Sequence, residues 1–229
     1  ARRQLFLARD HFGVKPLYYA EVDGTLYFAS EIKSLAAAGV PLEPDQDTWF
    51  AYLRFGSYDH GSSTFFKGIR RVPPGHYLSW QDGRIELHRW YDLPERVKSS
   101  WPDERSDSLV GEEYHRLLQD AVRIRFRSDV PVGVCLSGGL DSSTLVALLK
   151  ELFGSGQDIQ TYHFACGDAA YDETPWVRQL LAETRYPLNI AYLAAAEIPD
   201  LAEEAILSQE EPFGRSEERR VGKECRSRW

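Results

Sequence analysis

Apolar and polar positions alternate in short runs through the first ninety residues. Leu5-Phe6-Leu7-Ala8 reads as a strand, Asp10 to Pro16 as a turn, and Leu17-Tyr18-Tyr19-Ala20 and Leu26-Tyr27-Phe28-Ala29 as a hairpin around Asp23-Gly24. A helix is predicted over 31–38, stopped by Gly39 with Pro41 beyond, and a second over 48–55, stopped by Gly56. Two more strands, 76–80 and 84–90, flank Gln81-Asp82-Gly83. The pattern predicts an antiparallel sheet with helical cover over residues 1–93.

The stretch 94–110 is polar and rich in Pro, Ser, Asp, Glu and Lys, which predicts a solvated linker. Beyond it the period changes. Tyr114, Leu117, Leu118, Ala121, Val122 and Ile124 recur at helical spacing over 112–127. Strands at 130–136, 159–165 and 188–193 then alternate with helices at 141–153, 172–184 and 199–207. Such alternation predicts βαβ units around a parallel sheet, so the whole chain reads as α+β followed by α/β. Residues 215–229, with six basic and three acidic side chains, fit no packing period and read as a tail foreign to the fold, leaving 111–214 as the second domain.

Composition narrows the partners. The net charge of -8 disfavours nucleic acid and anionic membranes. No apolar run reaches the roughly 20 residues of a membrane span. The three cysteines, Cys135, Cys166 and Cys225, have no spacing of a disulfide framework, so reduced thiols and a cytoplasmic location are expected. Methionine is absent, and the chain reads as a piece of a longer polypeptide.

The chemistry concentrates in Ser128 to Thr144, which contains Val130-Pro131-Val132-Gly133-Val134-Cys135-Leu136-Ser137-Gly138-Gly139-Leu140-Asp141-Ser142-Ser143. A hydrophobic strand delivers two glycines onto a helix start, where bare backbone N–H groups and the positive helix end suit an anion. Ser137, Ser142 and Ser143 add hydroxyl groups. Asp141 would repel phosphate unless it caps the helix or holds a cation, which implies Mg²⁺. The lysine of a Gly-x-x-x-x-Gly-Lys-Ser/Thr loop is missing, which points to cleavage between the α and β phosphates. A strand followed by Gly-Gly is also an ordinary tight turn, and the two glycines alone would carry little.

The full string Ser137-Gly138-Gly139-Leu140-Asp141-Ser142 resembles the signature of the ATP-pyrophosphatase superfamily. Its flanks, Ser128-Asp129-Val130-Pro131-Val132-Gly133 and Phe164-Ala165-Cys166-Gly167, resemble the glutamine-hydrolysing asparagine synthetase family specifically. So does Ala8-Arg9-Asp10-His11-Phe12-Gly13-Val14-Lys15-Pro16-Leu17-Tyr18-Tyr19, which is similar to the late part of a class II, N-terminal-nucleophile glutaminase domain, and Val72-Pro73-Pro74-Gly75-His76-Tyr77 fits the stretch before the linker.

The resemblance implies the end of a glutaminase sandwich followed by the start of a parallel-sheet, adenine nucleotide hydrolase-like domain. It implies ATP and Mg²⁺ as cofactors, with glutamine and aspartate as further substrates of the intact protein. Leu136, Ser137, Gly138, Gly139, Leu140, Asp141, Ser142 and Cys166 would bind the nucleotide, Leu136 and Cys166 at its adenosine and Asp141 at the metal. The catalytic cysteine of the glutaminase lies upstream in the family, so no catalytic residue is assigned and the isolated stretch is expected to be inactive. Arg9 and Asp10 read as a structural ion pair, His76 and His163 as structural histidines, and Arg123, Arg125 and Arg127 as a solvated face. Asp172-Glu173 reads equally as a helix-start pair or as part of the ATP pocket. A β-lactam synthetase-like relative, a non-catalytic derivative and a homodimer all stay open.

Overall fold

The computed structural model describes residues 4–57, 61–155, 159–165 and 172–212. The chain forms two compact units, one running to Pro102 and resuming at Ala205, the other Asp103–Glu204.

The first unit contains β1 (Leu5–Ala8), β2 (Tyr18–Val22), β3 (Thr25–Ala29), α1 (Ile32–Ala37), α2 (Gln46–Phe55), β4 (Arg70–Arg71), β5 (His76–Gln81), β6 (Arg84–Arg89) and α3 (Leu93–Ser99). Where the apolar pattern alone predicted one antiparallel sheet there are two, ordered β1-β5-β6 and β3-β2-β4. The reason lies in the turn after β1: β1 pairs with β5, Leu7 opposite Leu78, and the Asp10–Pro16 segment carries the chain across to the other sheet. Leu7 and Leu78 of one sheet share a core with Tyr19 of the other and with Val72, which follows β4. On its opposite side the second sheet packs Ala20 against Ile32 and Leu35 of α1. Both predicted hairpins form, and their turn residues Asp23 and Asp82, at φ 50, precede Gly24 at φ 73 and Gly83 at φ 76. Two successive positive φ values match the right-handed twist of the flanking strands, which is why Asp-Gly is so often found there.

The second unit contains α4 (Asp107–Arg125), β7 (Gly133–Cys135), α5 (Leu140–Phe153), β8 (Gln160–Ala165), α6 (Thr174–Thr184) and β9 (Leu188–Tyr192), with α7 (Ile198–Gln209) following. The sheet order is β7-β8-β9 and both pairings are parallel. Leu136, Val146, Leu149, Ile159, Val177 and Leu181 form its core, with Val122 supplied by α4.

Two predicted bounds and one predicted face differ for physical reasons. The stretch 94–110 holds α3 and the start of α4, because Asp92 and Ser106 accept N-cap hydrogen bonds from Glu95 N and Leu109 N at 3.2 and 3.4 Å. The strand expected from Val130 begins only at Gly133, since Pro131 has no N–H to give a ladder and Val130 is 64% exposed. Of the apolar stripe on α4, Val122 is buried whereas Tyr114, Leu117 and Ile124 are at least half exposed. Among the described residues no helix is long and apolar enough to cross a membrane.

Candidate nucleotide loop

Strand β7 hands the chain to α5 through Leu136, Ser137, Gly138 and Gly139. Leu136 N donates to Tyr162 O at 2.8 Å, extending the ladder by one residue, and its side chain is only 2% exposed. The loop therefore hangs on a fixed strand end. Gly138 sits at φ +82, a left-handed conformation that any side chain would strain, and a Cβ there would meet Glu173 and Trp176 at 3.4 Å. Gly139 is the N-cap of α5 and brings no side chain to cap it. The first-turn N–H groups of α5 are thus left for an acceptor from elsewhere, beside the positive end of a fourteen-residue helix.

The loop hydroxyls hold one another. Ser142 Oγ lies 3.1 Å from Ser137 Oγ, accepts from Ser137 N at 3.2 Å and donates to Gly139 O at 3.2 Å. Such bonds shape the turn before any anion arrives. Asp141, in the first turn, and Leu140, 83% exposed, both face solvent. Among the described residues no three His, Cys, Asp or Glu side chains gather as a metal cluster, and the first turn of α5 offers one carboxylate, Asp141. That donor set fits Mg²⁺ held mainly by phosphate oxygens and water. Cys166 lies outside the described residues, as do 215–229.

Behind the loop stands a residue that the motif does not contain. His163, 3% exposed on β8, places Nδ1 2.8 Å from Leu136 O and Nε2 3.1 Å from Thr174 Oγ1. Thr174 N in turn donates to Asp172 Oδ1 at 2.9 Å. Asp172 thus stands just before α6, whose N-cap is Glu173. Period-two alternation carries the only sequence signal for this layer, since Thr161, His163 and Ala165 share one buried face of β8.

In the other unit, Arg9 and Asp10 make no ion pair with each other, contrary to the expectation. Arg9 instead donates to the carbonyls of Lys15, Val72 and Gly13 at 3.0, 2.8 and 2.8 Å. Asp10 accepts from the amides of Phe12, Val14 and Lys15 at 3.2, 2.9 and 2.9 Å. A tight loop leaves more unpaired backbone groups than a single ion pair would satisfy, and both charged side chains are spent on them. Gly13, at φ +63, lies within the predicted Asp10 to Pro16 turn. His76 Nδ1 bonds Pro74 O at 2.8 Å, a structural contact. Arg125 turns back to Ala121 O and Arg123 approaches Asp120, consistent with a solvated face.

Two family models match successive stretches of the chain. The family model for the glutamine amidotransferase domain matches residues 1–91, and that for asparagine synthase matches residues 113–220. A putative glutamine-hydrolysing asparagine synthetase of Methanocaldococcus jannaschii is 31% identical over 92% of the chain and 40% of its own length. Asparagine synthetase 1 of Bacillus subtilis is 36% identical over 66% of the chain and 23% of its length. Amidase chyE of Penicillium rubens is 43% identical over 68% of the chain and 23% of its length. The chain thus spans less than half the length of these curated relatives. With both domain types matched in the same order, the chain belongs to the glutamine-hydrolysing asparagine synthetase family.

Proposed function

We propose that this chain contributes the nucleotide loop of an ATP-dependent ligase that adenylates the side-chain carboxylate of aspartate and amidates it with ammonia from glutamine. AMP and pyrophosphate leave as products. On this reading residues 1–93 end a class II glutaminase sandwich, 94–110 connect, and 111–214 begin a pyrophosphate-loop domain. The observation that carries it is the uncapped start of α5 beneath Gly138 and Gly139, with the Ser137 and Ser142 hydroxyls 3.1 Å apart. Donors fixed before the reaction stabilise charge as it develops on the departing pyrophosphate, without reorganisation. Leu136 and Cys166 would border the adenosine, and Ser137, Gly138, Gly139, Leu140 and Ser142 the phosphates. Mg²⁺ held through Asp141 would neutralise phosphate charge.

The test is aspartate-dependent exchange of labelled pyrophosphate into ATP by the complete gene product, with glutamine hydrolysis assayed separately. Exchange that needs aspartate supports the reading, and no exchange with any carboxylic acid would sink it. A second reading, a carboxyl-activating relative with another acceptor, draws on the 43% identity to two fungal proteins named amidases. Exchange with a different acid but not with aspartate would select it.

A further inference from the structure

We propose that His163 is a positioning residue of the nucleotide loop, fixing the Leu136 carbonyl, and with it the turn through Ser137 and Gly138, against the start of α6. The inference rests on the reading of this loop as a nucleotide site and names a residue outside its motif.

The geometry of the two bonds sets the role. A carbonyl only accepts, so the 2.8 Å contact to Leu136 O requires a proton on Nδ1 of His163. That bond forms where the β7–β8 ladder ends: Leu136 N still reaches Tyr162 O, but the regular strand has closed at Cys135. The carbonyl at the turning point is thus taken up by a side chain. On the other face of the ring, Nε2 lies 3.1 Å from Thr174 Oγ1, and Thr174 hydrogen-bonds Asp172. Leu136, His163, Thr174 and Asp172 form one continuous chain of polar contacts under the loop. Its two ends are the elements that enclose Gly138, because a Cβ on Gly138 would touch Glu173 and Trp176 of the same α6 start. A 3% exposed imidazole bonded at both nitrogens has little freedom to shift, so the loop and α6 keep a fixed spacing.

His163 touches none of the reacting atoms, and its effect is expected in ATP binding more than in turnover. The complete gene product would be prepared as His163→Leu, which removes both bonds, His163→Asn, whose amide nitrogen stands where Nδ1 does, and Thr174→Val. In ATP–pyrophosphate exchange, His163→Leu should raise KM for ATP roughly tenfold with kcat little changed, the scale of one orphaned buried carbonyl. His163→Asn and Thr174→Val, which both keep a donor on the Leu136 carbonyl, should hold KM within about threefold of the native value. Hydrogen exchange of the 136–143 backbone, read by mass spectrometry, should quicken in His163→Leu and stay near native in Thr174→Val and His163→Asn, both of which keep a donor on Leu136 O.

Asn as impaired as Leu in both readouts, or Leu indistinguishable from native, overturns the proposal. Should His163→Leu fail to fold, His163→Asn decides alone: near-native KM and exchange support it, and a tenfold loss overturns it. Should the native protein show no ATP–pyrophosphate exchange, the functional reading fails, while loop protection still decides whether His163 positions the turn.

Discussion

Nη2 of Arg71 donates to Glu211 Oε1 at 3.0 Å, joining residues 140 positions apart whose side chains are 8% and 9% exposed. The preceding residue completes the attachment: Glu210, at φ 66, accepts from the first amides of α1, Ile32 N at 2.5 Å and Lys33 N at 2.8 Å. Glu31, the N-cap of that helix, makes no side-chain cap, so the carboxylate from the distant return segment supplies it. All of these contacts lie within the first unit.

Removing Glu211 alone should therefore be costly. Arg71 would stay buried near Arg9, whose own pKa is lowered first by burial and further by Arg71. Glu211→Gln is expected to lose about 3–5 kcal/mol, as for other buried pairs broken on one side. Replacing both partners by apolar groups, Arg71→Met with Glu211→Leu, should recover most of it. Urea unfolding of the three proteins checks this, and a double variant no better than the single one would mean that packing, not the loss of the Arg71–Glu211 pair, sets the cost.

Gly138 and Gly139 are adjacent yet should respond differently. Gly138 needs a left-handed backbone, whereas Gly139, at φ -71, lies where any residue can. Gly138→Ala should cost about 1–2 kcal/mol of stability, because the strain is in the chain itself. Gly139→Ala should cost less than about 1 kcal/mol, its Cβ meeting only Ser137 Oγ at 3.4 Å. Thermal melting of both variants measures the contrast, and equal losses would show that crowding rather than φ governs the turn.

Much of this was legible in the sequence where local chemistry decides structure. Asp23-Gly24 and Asp82-Gly83 announced their hairpins, and Ser-Gly-Gly-Leu-Asp-Ser announced a strand-to-helix turn. What escaped depends on distant partners. Nothing near Arg9 says that it will hold three carbonyls, one of them Val72 O, 63 positions away. The division into two sheets follows from β1 pairing with β5 across nearly seventy residues, which no periodicity reports. His163 looked like one more buried strand residue because its partners, Leu136 O and Thr174, lie in other elements.

Asp141 offers a separation of the two activities. It stands exposed in the first turn of α5, where its charge favours the helix dipole, and the proposed function gives it a cation to hold. Asp141→Asn should abolish ATP–pyrophosphate exchange in the complete gene product, leave glutamine hydrolysis unchanged, and lower stability by under about 1 kcal/mol. Undiminished exchange would leave the residue a helix-start charge and nothing more.

Asp10 makes stability depend on pH in a set direction. Burial alone would raise its carboxyl, yet hydrogen bonds from the amides of Lys15, Val14 and Phe12 bring it below the ordinary value. The folded protein therefore binds this proton less tightly than the unfolded chain, in which an aspartate titrates near about 4. Its contribution is complete above that value and is lost as pH falls through the lower folded value. Comparing the melting temperature of the native protein with that of Asp10→Asn across pH isolates the term. The gap should be constant from about pH 7 to pH 5 and close below about pH 4, as protonation turns the native side chain into a neutral acceptor like the variant's. A gap that widened with acid would mean that the ionised carboxylate is not what holds the Asp10–Lys15 turn.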